Sequence, residues 1–243
     1  MRRLIPIVLM AVILLVVFTV QARADGLELR LDMDGDSLGE TGFWPEFARL
    51  YTEPQQIDPA VAGFWLAATA GCVHFDQAFY DSIHNGLVTP EVERFSATVT
   101  KLGEGLASLI VTGLVWLDDG EAGRRCLEAI LFAGINVQAL KMLLGMARPY
   151  LGRGPVFTGP TLDDDYMAMP SGHTANAFAL ATVLAATYPR YRVIFYCLAG
   201  IVGLSRVILE EHWFSNVFAG GLLGIYAGQR VLGREFTVFK WEF

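Results

Sequence analysis

The stretch CLEAILFAGINVQALKMLLGMA, Cys126 to Ala147, runs directly into Arg148-Pro149. It is long and apolar, with Glu128 near its start and one cation, Lys141, inside it. Crossing the hydrocarbon of a bilayer takes about 20 residues, with a lower limit near 17. The stretch has that length and reads as a membrane helix. Pro149 predicts its end, because proline lacks the N–H and clashes with the preceding turn. A Lys inside such a helix is costly, which makes Lys141 a functional candidate. The competing reading is a snorkelling Lys paired with a nearby acid.

Five further apolar runs surround it: Pro59 to Val73, Leu102 to Leu117, Thr174 to Tyr188, Val193 to Leu209 and Val217 to Leu232. Most reach spanning length only with their polar flanks included. The 243 residues are 53% hydrophobic and 18% charged, against about 25% charged in an ordinary soluble domain. A bilayer in place of part of the water accounts for that deficit. The expectation is an all-α fold, a membrane-embedded bundle of about six helices over residues 59–243. A soluble all-α core is the alternative. The formal net charge of −7 argues against nucleic acid as a partner, since phosphate backbones demand clustered Lys and Arg. Cys72, Cys126 and Cys197 lie far apart in apolar stretches, without metal-ligand spacing, and read as small packing residues.

Residues 1–24 have the layout of a secretory signal, with a basic start, an apolar run from Leu4 to Val20, and Ala22 and Ala24 at a cleavage site. An uncleaved anchor is the other reading. Residues 25–58 form an acidic segment, expected outside the cytoplasm and solvated. Its Asp32, Asp34 and Asp36 do not make a calcium loop, because Gly35 and Phe43 stand at the wrong positions for one. Arg124 and Arg125, Arg190 and Arg192, and Arg230, Arg234 and Lys240 fall on one side if residues 59–73 do not span. The positive-inside rule makes that side cytoplasmic. The opposite helix ends, expected to face the periplasm of a bacterial-type inner membrane, carry the polar motifs.

There are three such motifs. Lys141 and Arg148 are seven apart on one helix face, about 10 Å along its axis. Pro170-Ser171-Gly172-His173 opens the run from Thr174. Amides at a helix start favour an anion, and glycine lets backbone approach a ligand closely. Ser205-Arg206 is followed by His212 and Asn216. The last two share a helix face, so an Asn216 oxygen is expected to accept a bond from one ring nitrogen of His212 and leave the other nucleophilic. Guanidinium forks suit phosphate oxygens.

In order and spacing these motifs resemble the three signatures of the type 2 phosphatidic acid phosphatase (PAP2) family. The resemblance covers residues 141–216, extended by helical pattern to about 75–232. It implies a helical core, with six spanning helices in membrane members, and a lipid-phosphate substrate. It implies His212 as the nucleophile that forms a phosphohistidine and His173 as the general acid. Lys141, Arg148, Ser171, Gly172 and Arg206 become the phosphate ligands, with no metal or cofactor. Candidate substrates are undecaprenyl diphosphate, phosphatidic acid and phosphatidylglycerol phosphate. One position departs: the family has Asp four residues after the nucleophile, where this chain has Asn216. Asp163, Asp164, Asp165, Glu210 and Glu211 stand nearby in sequence as substitutes for the missing carboxylate. Two other readings stay open, a weakly active or non-enzymatic binder of lipid phosphate, and an exported phosphatase or vanadate-dependent oxidase of the same superfamily. His74 and His84 lie outside the motifs and read as packing or interfacial residues. Asn136 and Gln138 read as interhelical hydrogen-bonders.

Overall fold

Asp, Thr, Pro and Gly punctuate the chain into helices at positions readable from their chemistry. Asp58 accepts a bond from the Ala60 amide just before Pro59. Thr89 caps Val92 just before Pro90, and Asp119 caps Ala122. Each satisfies an amide that the first helical turn leaves unpaired. The computed structural model describes residues 42–53 and 57–233. Among them eight α-helices follow one another: α1 (Phe43–Thr52), α2 (Pro59–Gly86), α3 (Pro90–Val99), α4 (Gly105–Asp118), α5 (Gly120–Leu144), α6 (Gly172–Thr187), α7 (Arg192–Ile208) and α8 (Phe214–Val231). The fold is all-α, as expected. The N-terminal signal or anchor lies outside the described residues.

The helix α5 stops at Gly145, whose φ of 58° is left-handed. A Cβ there would collide with the Gly159 carbonyl, so glycine is demanded twice over. Beyond it the chain from Gly145 to Ser171 returns across the bundle end. Met146 forms isolated bridges with both Phe157 and Met167.

α6 is the central helix. Ala175, Ala179, Leu180, Val183 and Leu184 are buried in one core with Cys126, Ala129, Phe132, Ala133 and Val137 of α5. Its contact with α8 is closer still. A Cβ on Gly220 would lie 2.5 Å from the Ser171 carbonyl, and one on Gly228 would lie 2.5 Å from Thr182 Cβ. Gly224 stands one turn from each and abuts the Ala175 carbonyl. Small residues at every fourth position let two backbones touch, a packing mode typical of helices in lipid.

Among the described residues two helical stretches, Gly120–Leu144 and Pro189–Ile208, are long and apolar enough to cross a membrane. A third span exists if Pro90–Gly103 and Gly105–Asp118, bent by 55°, count as one. Leu106, Leu109, Ile110, Leu117, Val193 and Leu204 are exposed, an apolar exterior suited to acyl chains. This gives two or three spans among the described residues; α6, with 16 residues, is shorter than the roughly 17 that crossing requires.

The described part of the acidic segment, α1, packs against two arginines of the bundle. Glu46 meets Arg124 at 3.1 Å, and Arg230 donates to the carbonyls of Arg49, Leu50 and Glu53. Arg124 lies 17 residues, about 25 Å of helix, from Lys141. Thus α1 packs at the arginine-rich end, opposite the motifs. The two do not share a face of the bundle.

Replacing Gly224 with Val is expected to destabilise the protein by about 1–3 kcal/mol by overpacking the α6–α8 contact. Gly134→Ala, whose new Cβ meets nothing within 4 Å, is expected to be neutral or slightly stabilising. Thermal unfolding of both variants in detergent checks the pair.

Candidate active site

The tight turn after α7 sets the centre of the site. Glu210 adopts a left-handed φ of 57°, unusual for a residue with a side chain. The amides of Glu211 and His212 then both point at the Arg206 carbonyl, at 3.1 and 3.2 Å. His212 is carried inward and is 2% exposed. Its Nδ1 lies 2.7 Å from the Ala168 carbonyl oxygen. A carbonyl only accepts, so Nδ1 carries the proton and Nε2 keeps its lone pair.

This corrects the expected role of Asn216. Its Oδ1 accepts from the Trp213 amide at 2.9 Å, and its Nδ2 faces Met146 Sδ at 3.0 Å and Ser215 Oγ at 3.4 Å. Asn216 therefore closes the first turn of α8 and does not orient the His212 ring. The nearby acids do not take that place either. Asp164 and Glu211 pair with Arg148 at 3.0 and 2.8 Å. Asp165 accepts from the Tyr150 hydroxyl, Asp163 caps its own turn, and Glu210 lies 3.8 Å from His84.

The cations converge on this turn. Arg148 and Arg206 are 6% and 8% exposed. Arg148 Nε donates to the Asp164 carbonyl at 2.9 Å. Arg206 Nη1 donates to Thr100 at 2.8 Å, while its buried Nε has no hydrogen-bond acceptor among the described residues. Lys141 is half-buried, and among the described residues it makes no ion pair, so the snorkelling-pair reading does not hold. His173 opens α6, whose start carries no side-chain cap, leaving its first amides for another partner. Ser171 donates its amide to the Asn216 carbonyl at 2.9 Å, joining the second motif to the third. The Ser171 hydroxyl accepts from Thr174. Gly172 sits beside Val137 of α5.

Both histidines lie outside the candidate spans. Burial first, then Lys141, Arg148 and Arg206, hold His212 well below its ordinary value. Burial and the same three cations pull His173 down to about 4.

The PAP2 superfamily pattern matches residues 123–237, which include all three motifs. Residues 123–237 thus form a PAP2 superfamily region. The chain is 27% identical over 185 residues to the lipid A 1-phosphatase of Rhizobium johnstonii, covering 66% of this chain and 75% of that protein. The lipid A 1-phosphatase of Porphyromonas gingivalis is 44% identical over 64 residues, only 25% of this chain and 14% of the relative. The crystal structure of Aquifex aeolicus LpxE superposes with a TM-score of 0.57 at 25% identity, covering 65% of this chain and 94% of that one.

Around the PAP2 motifs stand residues that the sequence reading did not single out. Asp76 on α2 is 1% exposed. It accepts from the Ser215 amide at 2.8 Å and from the Ser215 hydroxyl at 2.5 Å. A carboxylate at the start of α8 also suits the helix dipole. Tyr80 and His84 follow at four-residue steps and stack with centroids 4.1 Å apart. Tyr80 also packs on Trp213, whose indole donates to the Ala147 carbonyl at 2.7 Å. One face of α2 thus grips the turn that carries His212. Gly103 is needed for closeness: a Cβ there would lie 2.9 Å from His173 Cβ. Asp76 sits inside an apolar helix, the signal that flagged Lys141, but no motif spacing drew attention to it.

Asp76→Ala strands two buried donors on Ser215 and is expected to cost about 1–3 kcal/mol of stability. Asn216→Asp puts a second carboxylate beside the Ser215–Asp76 pair and against Met146 sulfur. It is expected to lower the melting temperature and leave turnover no higher than wild type. Unfolding curves and phosphate release on both variants test this.

Proposed function

We propose that this chain hydrolyses a phosphate ester on a membrane lipid through a phosphohistidine on His212. The observation that carries the reading is the His212 Nδ1–Ala168 bond of 2.7 Å, which leaves Nε2 unprotonated amid three cations. In the proposed reaction Nε2 attacks phosphorus and the phosphorus–oxygen bond to the lipid breaks. His173 gives its proton to the departing oxygen. Water then attacks the phosphohistidine, His173 takes a proton back, and inorganic phosphate leaves. Lys141, Arg148, Arg206 and the first amides of α6 hold the equatorial oxygens, where charge accumulates.

For His173 to act as an acid it must be protonated, yet burial and the three cations hold it near 4 in the unliganded site. A bound phosphate dianion faces the same cations and gives His173 a negative neighbour, which raises its pKa. The proton therefore arrives with the substrate. The names of the relatives support lipid A, at its 1-phosphate, as the substrate to test first, alongside phosphatidic acid, phosphatidylglycerol phosphate and undecaprenyl diphosphate. The reading as a non-enzymatic binder drew its motive from Asn216. That motive weakens once the Ala168 carbonyl supplies the tautomer. We further infer a bacterial inner membrane setting with the site at the outer face, supported by the arginine-rich opposite end.

His212→Ala is expected to abolish phosphate release from these lipids; release that survives it sinks the mechanism. A histidine held below its ordinary value of about 6.5 stays unprotonated at lower pH. The acid limb of kcat/KM should therefore lie below pH 6.5. Removing one cation with Arg206→Met should move that limb upward and lower kcat about 100-fold.

A further inference from the structure

We propose that Glu211 is a built-in stand-in for a phosphate oxygen, which the incoming phosphate group must displace. The inference rests on the phosphate-site reading above. One oxygen of Glu211, Oε2, lies 2.8 Å from Arg148 Nη1 and 3.4 Å from Arg206 Nη2. A single anionic oxygen shared between two guanidinium forks is the arrangement that a phosphate oxygen requires. Both guanidinium groups are buried, whereas the Glu211 side chain is 37% exposed. It therefore has water as an alternative environment and a path out of the site.

The anchoring of the two arginines supports exchange over permanent bracing. Arg148 keeps Asp164 without Glu211, through both the Asp164 carbonyl and its carboxylate. Arg206 keeps Thr100. The Glu211 carboxylate adds the bridge between them, while its carbonyl, which no substitution of the side chain removes, also accepts from Arg148 at 3.4 Å. Buried cations that repel one another need a counter-charge in the unliganded state, and Glu211 supplies it on the same turn that delivers His212. A phosphate dianion brings more charge to the same donors and takes them over. Because displacement precedes both ground-state and transition-state binding, it weakens both equally and acts on KM more than on kcat.

The test uses the full chain in detergent, titrated with inorganic phosphate by calorimetry, with turnover of a lipid phosphate measured in parallel. Glu211→Gln keeps the volume and removes the charge. Phosphate is expected to bind roughly tenfold more tightly, the scale of one charge-assisted hydrogen bond, and KM to fall by a similar factor. Glu211→Ala is expected to act in the same direction, which guards against a mispaired amide. If both variants bind phosphate no tighter than wild type, or more weakly, Glu211 braces the arginines and the inference is overturned. If neither wild type nor the variants bind phosphate or release it from lipid, the phosphate-site reading itself falls, and the inference with it.

Discussion

Lys141, Arg148 and Arg206 are held around one cup, and their mutual repulsion organises what surrounds them. Asp164, Glu211 and Thr100 each engage a guanidinium. Two histidines stay neutral beside them. Positive charge concentrated away from water binds an anion strongly because water is not there to screen it. Burial first, and then the same cations, keep His212 unprotonated.

Such a cup persists only if the backbone holds it against that repulsion. Gly220, Gly224 and Gly228 let α8 touch α6, and the Ser171 amide is bonded to the Asn216 carbonyl across the contact. Cβ atoms at these glycines would separate two motifs that lie more than thirty residues apart in the chain. From the other side α2 closes on the histidine turn with Asp76 and Tyr80. Helix packing and the polar site are therefore one problem in this protein, as expected where lipid offers no hydrophobic drive between helices.

The histidine pair also shows how a missing carboxylate is accommodated. The side chain at position 216 is turned to the Trp213 amide and away from the His212 ring. Here the Ala168 carbonyl holds the tautomer, and Asn216 has become part of the α8 start. The buried charge lies on Asp76 instead, spent on Ser215.

Periodicity, length and three spaced motifs were enough to read the all-α class, the identity of the cations and histidines, and the clustering of motifs at one bundle end. These are local properties: an apolar run, a helix-ending proline and a seven-residue spacing fix geometry within one element. The ring partner of His212 was not legible, because Ala168 contributes only a carbonyl, and every residue has one. Asp76 and Gly103 were not legible either, since their partners lie far away in sequence. Nor was the place of α1, which Arg124 and Arg230 decide from two different helices. Sequence determines which groups are available. Which of them meet is decided by packing, because a contact between distant segments leaves no spacing to read.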